Sequence, residues 1–189
     1  FDIGGEVLEF RTSGERDYVI MDPANAYPKK EMKGWRRHVI LEKPVITLIL
    51  DEVRSDRNAE IEARFHSGVK TVTHDDYVML TGDRGNMALI PVVDGGFTIR
   101  NGRHACQPVN GARNFFWVPY FGAVVKAKAA ETLIVTIILP VENEDEAQSI
   151  AKSVDRRIDN AGNLSLSFEK DGRTYAYSYK KGAEGLVLE

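Results

Sequence analysis

The sequence predicts an all-β protein, an antiparallel two-layer β-sandwich with at most one short helix near 142–153. Three observations carry this. Strand-sized apolar runs recur along the chain, and turn residues rich in Gly, Pro, Asp and Asn separate them. No long helical stretches alternate with these runs, as a parallel α/β sheet would require. The 189 residues, 43% hydrophobic and 28% charged, suit one domain spanning 1–189 with a sizeable core.

The elements follow in order. Glu6–Arg11 and Tyr18–Met21 open the series as strands, and the stretch Asp17–Tyr27 runs into an ordered loop closed by Pro28. Trp35–Leu41 and Val45–Val53 form a pair turning at Glu42-Lys43-Pro44. Ile46–Leu50 is apolar at nearly every position, the pattern of a central strand covered on both faces. Glu60–His66 alternates strictly: Ile61, Ala63 and Phe65 share one face, and Glu60, Glu62, Arg64 and His66 share a wet one. Further runs are Tyr77–Thr81, Met87–Val93, Phe97–Arg100, Asn114–Pro119, Ala123–Ala127 and Thr132–Leu139. Gly82–Gly85, Asp94-Gly95-Gly96 and Asn101-Gly102 read as turns between them.

Glu142–Lys152 is read as the helix, with acids in its first turn and Lys152 near its end to match the helix dipole; a charged loop is the alternative. The chain closes on a hairpin. Leu164, Leu166 and Phe168 alternate with serines, Asp171-Gly172 supplies the turn, and Tyr175, Tyr177 and Tyr179 return on one face. Leu186–Leu188 is a last edge strand.

Composition excludes several functions. A net charge of −3 gives no electrostatic case for nucleic acid. No run approaches the roughly 18 apolar residues of a membrane helix, and no signal peptide is present. A start at Phe1-Asp2 rather than Met reads as a processed or excised piece. The single cysteine, Cys106, excludes an intrachain disulfide and any multi-cysteine metal site.

Candidate chemistry is sparse. His38, His66, His74 and His104 are scattered without metal-ligand spacing; His66, at the end of a polar strand face, stands out. Asp51-Glu52 ends an apolar run. The pair reads either as acid/base machinery or, with Arg54, Asp56, Arg57 and Asn58 following, as a charged hairpin tip. Between Arg113 and Gly122 lie five aromatics in seven positions: Phe115, Phe116, Trp117, Tyr120 and Phe121. Large aromatics most often pack a core. An exposed face would instead make a sugar platform or a domain interface, with Arg113 and Asn114 as neighbouring polar contacts. No nucleophile motif, phosphate-cradling glycine loop or supported catalytic cysteine is present.

From about Gly4 to Leu139 the chain resembles the C-terminal β-domain of heparinase II/III-like polysaccharide lyases, most closely in Asp17–Tyr27, Trp35–Val53 and the strand leading to Phe65-His66. The resemblance implies a larger enzyme in which an N-terminal α/α toroid is the partner of a β-sandwich. Its activity would be β-elimination on an anionic, uronic-acid-containing polysaccharide, in a periplasmic or secreted setting. It further implies that the toroid, and a His-x-His-x-Asp segment supplying a catalytic His and metal ligands, lie upstream of Phe1. Zinc is therefore possible in the whole enzyme, while this chain carries no catalytic residue, metal ligand or cofactor and is inactive alone. The residues expected to contact carbohydrate or an interface are His66, Arg113, Asn114, Phe116, Trp117 and Tyr120.

Overall fold

Backbone pairing gathers the chain into three antiparallel sheets in the computed structural model, which describes residues 4–27, 32–106, 116–127 and 130–189. In chain order the strands are β1 (Glu6–Thr12), β2 (Arg16–Asp22), β3 (Gly34–Glu42), β4 (Ile46–Ser55), β5 (Ala59–His66), β6 (Lys70–Thr73), β7 (Val78–Gly82) and β8 (Gly85–Val93). Then come β9 (Thr98–Cys106), β10 (Phe116–Ala127), β11 (Ala130–Val141), helix α1 (Glu144–Ser153), β12 (Asp155–Ile158), β13 (Leu164–Lys170), β14 (Arg173–Lys181) and β15 (Leu186–Leu188). An eight-stranded sheet runs β1-β2-β3-β4-β11-β8-β7-β6, a four-stranded sheet β12-β13-β14-β15 and a three-stranded sheet β5-β10-β9. The all-β antiparallel sandwich expected from the sequence is the fold observed.

Side-chain parity explains how the sheets stack. Successive strand residues point to opposite faces. Ile46, Leu48 and Leu50 of β4 and Leu133, Val135, Ile137 and Leu139 of β11 point one way, into a core shared with Leu164, Leu166 and Phe168 of β13, Tyr177 and Tyr179 of β14, and Ala147 and Ile150 of α1. That interface makes the main sandwich. Ile134 and Ile138 point the other way; Ile134 meets Ala63 and Val125, and Ile138 packs against the cluster of Phe121, Val78 and Leu89. The three-stranded sheet therefore covers the far face of the large one, with Phe65 and Phe121 stacked 5.9 Å apart between them. Two-sided cover is why β4 and β11 read as apolar at almost every position.

Local signals set the details. Asn143 caps α1 by accepting a hydrogen bond from the Glu146 N–H, while the Glu146 carboxylate accepts one from the Glu142 N–H. Satisfying the first-turn donors this way fixes where the helix starts. In the final hairpin Asp171 (φ 52°) and Gly172 (φ 69°) take the left-handed conformations of a two-residue turn, and Leu166 faces Tyr177 across it.

Four expectations change. Lys70–Thr73 and Asp155–Ile158 are short additional strands. The runs at Asn114–Pro119 and Ala123–Ala127 belong to one strand, since β10 continues through Pro119 and Gly122 (Asn114 itself, like Pro28, lies outside the described residues). Asn101-Gly102 is not a turn but the interior of β9. Asp51-Glu52 is not a hairpin tip: both residues sit within β4 and are 3% exposed.

The core makes a direct prediction. Ile137 has no exposed surface whereas Val187 on the edge strand is 42% exposed. In urea unfolding, Ile137→Ala is expected to cost about 2–5 kcal/mol, and Val187→Ala no more than about 0.5 kcal/mol.

Candidate functional site

Parity sends the two adjacent carboxylates of β4 to opposite sides. Glu52 enters the main core beside His38 of β3. The Tyr18 hydroxyl lies 2.7 Å from His38 Nδ1, and His38 Nε2 lies 2.8 Å from Glu52 Oε1. A carboxylate only accepts, so Nε2 carries the proton toward Glu52, and in the neutral ring Nδ1 accepts from Tyr18. Glu52 also accepts the Leu186 N–H on both oxygens, at 2.9 and 3.1 Å. Burial alone would raise the Glu52 carboxyl, but the hydrogen bonds from His38 and from the Leu186 backbone outweigh it and hold it below its ordinary value. Burial pushes Tyr18 up to about 12. At Gly185 (φ 144°) an added Cβ would stand 2.9 Å from Glu52 Oε1, so glycine there lets the last strand approach. His38 has no exposed surface. The trio is closed to a polymer and works as an internal clamp.

Asp51 faces the other side. It accepts from Trp35 Nε1 at 2.7 Å and from Arg37 Nε and Nη2 at 2.8 and 3.0 Å. The Arg37 guanidinium lies 4.9 Å from the Trp35 ring, and Tyr27 meets Trp35 edge-on at 5.2 Å. These residues flank a groove of about 440 Å³ that reaches Ile61, Ala63 and Ile134 under β5. Since Asp51 and Glu52 open to different sides and both are engaged, they do not form an acid/base pair on one cleft.

The outward face of β5-β10-β9 holds three of the residues singled out in the sequence, His66, Phe116 and Tyr120. His66 and Tyr120 are directly paired across β5 and β10, their ring centroids 6.1 Å apart. His104 reaches the same face from β9, 6.3 Å from His66. Tyr120 is half-buried: a Cβ at Gly102 would stand 2.6 Å from its Cζ, so the ring lies flat over that glycine. The Arg64 guanidinium sits 4.0 Å from the Tyr120 ring centroid. Arg64 donates to Glu62 at 2.6 Å and Arg100 to Glu60 at 2.7 Å. Phe116 lies on this face, 53% exposed, while Trp117, 63% exposed, points to the opposite one. Arg113 and Asn114 lie outside the described residues.

The sequence singled out His66, Phe116 and Tyr120 separately, and strand pairing brings them to one surface together with Arg64, Arg100 and Gly102, which were not singled out as site residues. The strict alternation of β5 already placed Arg64 with His66; only strand pairing reveals Arg100. Among the described residues no three His, Cys, Asp or Glu side chains group to hold a metal, and both ring nitrogens of His38 are engaged.

No family model matches the chain, and no curated protein matches it by sequence. Solved structures do. A heparinase III shares 16% identity over 93% of this chain and 27% of its own, with a TM-score of 0.70. The heparan sulfate lyase HepC of Pedobacter heparinus shares 15% identity over 98% of this chain and 28% of its own, with a TM-score of 0.68. At this identity the likeness is one of fold, and it falls on the C-terminal domain of those proteins. The chain spans little more than a quarter of their length.

The clamp is testable through pH. Because the folded Glu52 carboxyl is held below its ordinary 4.5, its stabilisation is complete above that value and is lost as pH falls through the lower, folded one. Glu52→Ala leaves the His38 Nε2–H and the Leu186 N–H without their acceptor, so chemical unfolding at pH 7 is expected to show a loss of about 1–3 kcal/mol for each buried donor. Glu52→Gln should also be less stable than wild type at pH 7, with the gap narrowing in acid. A constant gap from pH 7 to pH 3 would contradict the assignment.

Proposed function

We propose that this chain is the C-terminal β-sandwich of a heparinase II/III-like polysaccharide lyase, working with an N-terminal α/α toroid of the same polypeptide in a periplasmic or secreted setting. The observation that carries the reading is the match of nearly the whole chain to the C-terminal domain of two such lyases. The intact enzyme would cleave a uronic-acid-containing polysaccharide by β-elimination: a base takes the proton next to the carboxylate, and an acid protonates the departing glycosidic oxygen. Both groups must reach one sugar at hydrogen-bonding distance. In this chain the hydrogen-bonded Tyr18–His38–Glu52 trio is buried, and Asp51 and Glu52 face apart. The sandwich alone is therefore assigned no catalysis, and its role is to support the site and the substrate.

A second reading, a carbohydrate-binding or domain-packing module without a catalytic partner, is favoured by the exposure of Phe116 and Trp117 on opposite faces of β10. The two readings separate in one assay. The isolated chain, incubated with heparin, heparan sulfate and alginate, is expected to release no unsaturated product above buffer, and the polypeptide extended to include the toroid is expected to release it. Product from the isolated chain would sink the division of labour and turn attention to His66 and Tyr120. Silence from the extended polypeptide on every uronate polymer would favour the binding module.

A further inference from the structure

We propose that two copies of this chain associate through β1, the open edge of one copy pairing antiparallel with the same strand of the other about a two-fold axis at Phe10. The contact needs nothing from the enzymatic role proposed above.

β1 ends the eight-stranded sheet, with β2 on one side and, among the described residues, no strand on the other. Such an edge presents a row of unpaired backbone groups, which proteins blunt with a short strand, a lysine, a proline or a bulge. At the other end of this sheet β6 is four residues long and begins with Lys70. In the four-stranded sheet β15 is three residues long, and the Leu186 N–H is taken by Glu52. β1 runs for seven residues without lysine or proline, and its Val7, Leu8 and Phe10 are all exposed, Phe10 at 64%. Its one irregularity lies between Val7 and Glu9, so residues 9–12 pair regularly with 17–20.

Backbone alternation and charge together select one way for this edge to meet itself. The Ser13 N–H donates to the Arg16 carbonyl at 2.8 Å. Bonded and open pairs alternate along an antiparallel ladder. Glu9 and Arg11 therefore turn their backbone groups toward β2, and Phe10 and Thr12 turn theirs to the open edge. A second strand can join only by setting outward-turned residues against outward-turned residues. With the axis at Phe10, Phe10 faces Phe10, and Glu9 of each copy faces Arg11 of the other. Moving the axis one residue in either direction sets Glu9 against Glu9 or Arg11 against Arg11, and like charges directly opposite are destabilising.

The side chains suit the same register. Glu9 and Arg11 stand opposite Ile20 and Tyr18, on the face turned to the main core, whereas Phe10 stands opposite Val19 on the other. Within one copy Arg11 already pairs with Glu9, and its guanidinium lies 5.7 Å from the Tyr18 ring centroid. These charges stay at the surface, so they fix the register more than they add affinity. Backbone bonds and the meeting Phe10 rings supply the attraction. A ladder this short lies below the area of a standard interface, so the association is of about micromolar strength or weaker.

Sedimentation equilibrium of the 189-residue chain tests this. A reversible monomer–dimer equilibrium is expected between about 1 μM and about 1 mM. Phe10→Pro removes an N–H that points to the open edge and spares the bonds to β2, so it is expected to weaken the dimer about tenfold or more. Glu9→Arg and Arg11→Glu, each alone, set like charges opposite one another twice and are expected to weaken it about tenfold. An equal mixture of those two variants restores opposite charges across the axis, and is expected to recover the wild-type dissociation constant to within about threefold. Rescue by mixing cannot come from the pair within one strand. Thermal midpoints establish that each variant is folded; should Phe10→Pro unfold, Phe10→Lys takes its place with the same expected direction. A chain still monomeric at the highest concentration would overturn the proposal and leave the edge to a different strand. So would an unchanged dimer in a folded Phe10 variant, or a mixture that associates no better than either variant alone. None of these outcomes touches the lyase reading, which is decided by cleavage in the extended polypeptide.

Discussion

Glu52 reaches across the boundary between two layers, and much of the molecule is arranged around what it bonds. A carboxylate placed in an apolar core is costly unless every acceptor position is met. Here the partners are the His38 imidazole from the neighbouring strand and the Leu186 N–H from the last strand of the facing sheet. The bond to Leu186 ties together residues 134 positions apart and fixes the four-stranded layer in one register against the large sheet. Tyr18 completes the chain of bonds on the far side of His38. Removing the carboxylate would strand buried donors on both layers at once.

The same strand geometry divides the protein into an inside and an outside with different tasks. Asp51, one residue earlier, faces the opposite direction and holds Trp35 and Arg37 at the mouth of the groove under β5. Above that groove, β5 presents its apolar residues inward and its charged ones outward, so the sheet that seals the far face also displays Arg64 and Arg100, paired with Glu62 and Glu60, beside His66 and His104. One layer thus carries a packed face and a solvent-facing one.

Local pattern was enough to read much of this fold, and its failures share a cause. The alternation of Glu60–His66, the Asp171-Gly172 hairpin and the helix expected over Glu142–Lys152 are set by residues near one another in sequence, and each appears, the helix running over Glu144–Ser153 after its Asn143 cap. Asp51-Glu52 looked like a hairpin tip because polar residues after an apolar run usually mark a strand's end. Their partners lie 14 to 134 positions away, so nothing nearby signals that they are buried. Gly102 read as part of a turn, and the runs on either side of Gly122 read as separate, for a related reason. Glycine does weaken an isolated strand, but here each leaves space for a side chain from the adjacent strand. The surface residues were half legible: alternation placed Arg64 with His66, while Arg100 joins them only through β10.

The measurement that tests the account most directly is amide hydrogen exchange at Leu186, compared between the wild-type chain and a folded Glu52→Ala variant. The account predicts that the Leu186 N–H, bonded to both Glu52 oxygens, exchanges slowly in the wild type and much faster in the variant. Equally slow exchange in both would contradict it.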